Sequence, residues 1–129
     1  MKNGMKRLSL IWGDSSGGAL VEFALVVPAF IAVIVGGFYL ALMLFASSSM
    51  QYAVEAGARC ASVSTTTCGS TTAIQNYAQG KFLASSVGTP TFTATNPACG
   101  HMVSANMTYV FNLGLTRLSV PLASTACYP

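Results

Sequence analysis

Charge is what this chain has least of. Six Lys and Arg and three Asp and Glu among 129 residues make 7% charged, against about 25% in soluble globular domains. Three of the six cations, Lys2, Lys6 and Arg7, fall in the first seven residues. No basic patch remains elsewhere, which excludes an electrostatic nucleic-acid footprint. The acids are Asp14, Glu22 and Glu55, and His101 is the single histidine. A Ser-His-Asp arrangement needs an acid to orient the imidazole, and paired-carboxylate chemistry needs two acids across one bond. Neither can be assembled after Glu55, so no enzyme is expected. Cofactors are not expected either. At this length one small domain is the limit.

What the chain has instead is a long apolar run. Phe23 to Ala46 contains no charged residue. About 20 residues at 1.5 Å each cross a bilayer, so the run spans with some tilt. A secretory signal has an apolar core of only about 7–15 residues and fits poorly. A buried core helix fits poorly too, because the residues that follow are too few to wrap it. Lys2, Lys6 and Arg7 precede the span, so the N-terminus is expected in the cytoplasm and the C-terminal part outside, in a single pass. Pro28 removes one helical hydrogen bond and predicts a kink. Ala32 with Gly36, and Gly37 with Ala41, have the small-xxx-small spacing that lets helices approach in lipid.

Glu22 stands at the head of this run. A carboxylate at the centre of a bilayer costs about 2.5–3.5 kcal/mol on insertion scales, so it needs a partner. A cut between Gly17 and Gly18 would make Gly18 residue one and Glu22 residue five. The new α-amine would then lie one helical turn from Glu22, and the helix N-terminus adds partial positive charge. A cut after Gly18 would leave Glu22 at position four.

A basic leader, Gly17, the residues Gly18-Ala19-Leu20-Val21, then Glu22-Phe23 resemble the prepilin-peptidase site of type IV pilins. The Gly-x4-Glu-[Tyr/Phe] form resembles the tight-adherence (Tad) branch. The stretch "GGALVEFALVVPAF" is similar to the start of TadE-like pseudopilins, and "QYAVEAGARCAS", Gln51 to Ser62, is similar to their helical continuation. The family has a Glu-Gly-Ala-Arg stretch; here Glu55-Ala56-Gly57-Ala58-Arg59 carries an extra alanine. The resemblance implies that a membrane-embedded peptidase removes a leader after Gly17 on the cytoplasmic side. It implies that Gly18 is the mature N-terminus, that Glu22 serves membrane extraction and subunit register, and that Phe23 is the motif aromatic. The implied partners are prepilin peptidase, other pilins or pseudopilins, the assembly machinery and the inner membrane. Major pilins of this branch are little more than the helix. The larger C-terminal region here therefore implies a minor pseudopilin in a pilus for adhesion. A pseudopilin of a related secretion system, or a single-span anchored binding module outside the cell, are the alternatives.

Beyond the span, Met50, Ala53, Val54, Gly57, Cys60 and Ala61 recur at intervals of three and four and predict that the helix continues as a stalk. "SVSTTTCGSTT" ends it. Ile74, Tyr77, Ala78 and Phe82 predict a short second helix capped within Ser70 to Thr72, although Gly80 weakens it. After Gly88 the period becomes two. "TPTFTAT" predicts a strand with Pro90 at its start or on an edge. Val103, Ala105, Met107, Tyr109 and Phe111 share a face of a second strand, and Leu118, Val120 and Leu122 a face of a third. "NLGLTR" makes these two a hairpin, with Pro121 at an edge or bulge.

Cys60, Cys68, Cys99 and Cys127 all fall on the expected outer side, where an even count favours disulfides. Antiparallel pairing of the last two strands brings Cys99 to Cys127, which leaves Cys60 to Cys68. There is no CxxC and one histidine, so a zinc site is not expected. His101 reads as an ordinary residue at a strand edge. Asn106-Met107-Thr108 matches a glycosylation acceptor, a pattern too common to carry weight. The fold class is α+β, in three parts: a cytoplasmic leader over 1–17, a membrane and stalk helix over 18–61, and a disulfide-stapled head with a short helix and an antiparallel sheet over 62–129.

Overall fold

A computed structural model describes residues 16–112, 114 and 116–129. The leader cations Lys2, Lys6 and Arg7 lie outside the described residues. Two units are distinguished, one ending at Phe38 and the other Tyr39–Pro129. The element order is helix α1 (Ser16–Val63), helix α2 (Thr71–Lys81) and strands β1 (Thr91–Thr95), β2 (His101–Asn112) and β3 (Arg117–Tyr128). This is an α+β fold.

α1 is 48 residues long and contains Pro28. Up to Phe38 its side chains are almost all exposed. From Ala46 one stripe is buried: Ala46, Ser49, Met50, Ala53, Val54, Gly57, Ala58 and Ala61. The alternating steps of three and one keep these residues on one face. They meet α2 and the sheet in a single core.

Helix α2 starts at Ser70, whose side chain accepts a hydrogen bond from the Ala73 N–H at 3.2 Å. Its buried residues are Ile74 and Ala78. Phe82 is buried as well, but it is the C-cap and not a helical residue. The next N–H, of Leu83, donates to Ser49 Oγ at 2.7 Å. That bond gives the buried Ser49 hydroxyl a partner and ties the end of α2 to α1.

The sheet is antiparallel in the order β1-β2-β3. β2 alternates strictly, with Val103, Ala105, Met107, Tyr109 and Phe111 buried and Asn106, Thr108 and Val110 exposed. β2 runs alongside the second half of α1. Phe111 meets Tyr39, with ring centroids 6.0 Å apart, and Val103 lies 3.5 Å from where a β-carbon on Gly57 would stand. The two separations agree: 18 helical residues rise ~27 Å and eight strand residues ~27 Å. Strand and helix are therefore antiparallel, and the hairpin end lies at Tyr39. Pro90 immediately precedes β1, and Pro121 lies in β3, an edge strand, opposite Thr108.

Leu118 departs from the expected buried face. It lies opposite Phe111 but is 57% exposed, while Val120 and Leu122 are half-buried and Ser124 is buried. The reason is that β3 is an edge strand, flanking the central strand that packs on α1.

Two disulfides close the unit. Cys60 joins Cys68, and Cys99 joins Cys127. The second staples the open end of the β2–β3 hairpin, beside Gly100. That glycine has φ +116°, and a β-carbon there would collide with the Tyr128 carbonyl oxygen. Only glycine makes this turn without strain.

Candidate functional site

The proposed cleavage and register residues lie in the opening turns of the described part of α1. Gly17, Gly18, Glu22 and Phe23 are exposed. Gly18 and Glu22 are four apart on one helical face, ~6 Å along the axis. A helix beginning at Gly18 would place Glu22 one turn from its N-terminal end.

Among the described residues the rest of the first unit is an apolar surface. Leu20, Phe23, Leu25, Val33 and Phe38 are each more than 60% exposed. Such a surface is unstable in water and stable in lipid or against other apolar helices. α1 is the one helix among the described residues long and apolar enough to cross a membrane. Gly36 and Gly37 have open space where a β-carbon would point, so an approaching helix would meet backbone there.

The second unit carries a cluster at the hairpin end that joins Tyr39 of α1 to two residues of β2. Tyr39, Tyr109 and Phe111 pack edge to face, the last two with centroids 4.7 Å apart. Tyr109 Oη donates to the Tyr39 carbonyl at 3.4 Å, and Tyr39 Oη donates to the Asn112 carbonyl at 3.3 Å. Burial raises the Tyr109 pKa above its usual 10.0, and Tyr39 adds to the rise. Tyr39 was the available signal, because it is a polar-tipped aromatic inside an otherwise apolar run.

A second feature is an open cleft of about 510 Å³ lined by Tyr52, Glu55, Arg59, Cys60, Tyr77 and Tyr128, among others. Glu55 Oε1 accepts from Gln51 Nε2 at 2.8 Å. Cys60 is disulfide-bonded and is no nucleophile. Among the described residues no group of three or more His, Cys, Asp and Glu is placed to hold a metal. His101 opens β2, with Nδ1 2.9 Å from Asn96 Oδ1. The cleft offers aromatic faces and one charge of each sign, which is the chemistry of a contact surface.

No curated protein and no solved structure matches the chain. One family model does, described as TadE-like protein, over residues 17–59. That is about a third of the chain, beginning at the first glycine of the pair and ending at Arg59. Over that stretch the apolar helix and the stalk that continues it are similar in sequence to TadE-like proteins.

Proposed function

We propose that this chain is a minor pilin-like protein that helps assemble a Tad-type adhesion pilus, made with a leader that prepilin peptidase removes after Gly17. The parts are the leader over 1–17, the membrane and stalk helix over 18–61 and the head over 62–129. The anchor crosses the inner membrane once, with the N-terminus in the cytoplasm and the head outside. Glu22 meets a cationic α-amine during assembly, and the head presents contacts to pilins and machinery. What carries the reading is that the family match begins at Gly17, the residue before the proposed cut. The exposed apolar surface of α1 supports it, since that surface needs lipid in the membrane and other helices in a fibre.

Co-expression with a cognate prepilin peptidase, followed by intact-mass measurement of membrane-purified protein, tests the reading. The expected product begins at Gly18 and keeps both disulfides. A product that retains Met1, or one cut between Ala46 and Ser49, overturns it.

A further inference from the structure

We propose that the closed end of the β2–β3 hairpin is a second membrane contact, seated in the headgroup layer of the leaflet on the side of the C-terminal unit. The inference rests on the reading of α1 as a membrane anchor.

The depth of the hairpin end follows from α1. A hydrocarbon layer ~30 Å thick takes about 20 helical residues. Counted from Phe23, the first residue after Glu22, that layer ends near Leu42. Tyr39 then lies ~4–5 Å from the boundary, less than one helical turn from the interface where Tyr and Trp form belts. The hairpin end is fixed to this residue: Phe111 packs on its ring, the Asn112 carbonyl accepts from its hydroxyl, and Tyr109 donates to its carbonyl. β2 cannot reach Tyr39 without bringing the end of the hairpin to the membrane surface.

The surface chemistry agrees with that depth. Leu118, opposite Phe111, is 57% exposed, and Val110, on the other face of the sheet, is 44% exposed. Single exposed apolar residues are ordinary on soluble proteins. These two stand on both faces of one hairpin end, whose residue Phe111 packs on Tyr39. Arg117, opposite Asn112, is exposed between them. A long cationic side chain can lay its stem along apolar surface and carry its charge to lipid phosphates. No acid follows Glu55 in the sequence, so nothing acidic in the sheet opposes an anionic surface.

The test uses full-length protein in lipid bilayers. A Trp12→Phe background removes the single native tryptophan. Leu118→Trp then probes the hairpin end. Thr95→Trp serves as the control, exposed and opposite Met102, ~33 Å along the sheet from Asn112. Lipids brominated high on their acyl chains quench only tryptophan that reaches them. The expected result is blue-shifted emission and severalfold stronger quenching for Leu118→Trp than for Thr95→Trp. Equal quenching in protein that resists carbonate extraction overturns the hairpin contact and leaves the anchor standing. Release of the protein by carbonate overturns the anchor and the contact together. Blue-shifted emission that depends on protein concentration and ignores brominated lipid assigns the surface to a second copy of the chain, and also overturns the proposal.

Discussion

Gly57 of α1 faces Ala78 of α2 so closely that a β-carbon on Gly57 would stand 3.1 Å from Ala78 Cβ. The same point lies 3.5 Å from Val103 Cγ2 on β2. Both helices and the central strand meet at this glycine. A change to Ala gains about 1 kcal/mol of helix propensity and loses a similar amount to the tight contact. Gly57→Ala is therefore expected to unfold within about 1 kcal/mol of the parent. Gly57→Leu must push α2 or β2 away and is expected to cost about 3 kcal/mol. Denaturant unfolding in detergent measures both. A Gly57→Leu variant as stable as the parent would show that the junction is loose.

The two disulfides differ in loop length and access. Cys60–Cys68 closes a separation of 8 residues and Cys99–Cys127 one of 28. By chain entropy the shorter contributes about 2.5 kcal/mol and the longer about 3.5 kcal/mol. Replacing each pair by serine should reproduce that order in thermal unfolding. Reduction should follow access instead. Cys68 is 3% exposed and Cys99 is exposed, so limited reductant should open Cys99–Cys127 first. Alkylation and peptide mapping of partly reduced protein reads that order.

Tyr109 predicts an alkaline weakness. Its neutral phenol is favoured in the folded state, first by burial and then by Tyr39. A raised pKa contributes stability in full below the ordinary value of 10, and that stability is lost as pH rises through the folded value. Unfolding midpoints should fall above pH ~10 and fall less steeply in Tyr109→Phe, which has no phenol to ionise. The variant loses a long hydrogen bond to the Tyr39 carbonyl, so it should be slightly less stable at neutral pH. Identical alkaline slopes would mean that the phenol ionises freely in the fold.

Much of this fold is legible in the sequence because its faces are one-sided. The alternation from Val103 to Phe111 names the buried side of β2, and the spacing from Met50 to Ala61 names the buried stripe of α1. Ser70, with its side chain on the Ala73 N–H, is the kind of cap that polar residues before a helix announce. Leu118 is not legible, because period two gives a face but not whether anything covers it. Only the packing of α1 on β2 decides that. The contact of Tyr39 with Phe111 spans 72 positions in sequence, and no local pattern encodes it. The N-terminal motif is the reverse case. Gly17, Gly18 and Glu22 stand out in the sequence, yet on an isolated helix they are only exposed positions. Under the proposed function their meaning depends on a peptidase and on neighbouring subunits.

Glu22→Gln separates a specific partner from simple solvation. The substitution removes the charge and keeps the shape. Anchoring should survive, since the penalty of a few kcal/mol for a charge in the bilayer falls. Cleavage should also survive, because the bond after Gly17 lies several residues upstream. Assembly is where the loss should appear. An α-amine packed among apolar helices keeps its charge at high cost unless a carboxylate compensates it, and removing one partner of such a pair leaves the other uncompensated. The expected variant is membrane-bound and processed, yet fails to co-purify with pilus partners and fails to support piliation. Glu22→Asp keeps the charge on a shorter stem and should restore part of the function. If Glu22 is solvated by headgroups and water alone, Glu22→Gln will be silent. Normal piliation by Glu22→Gln at matched protein level would therefore remove the assembly role proposed for this carboxylate.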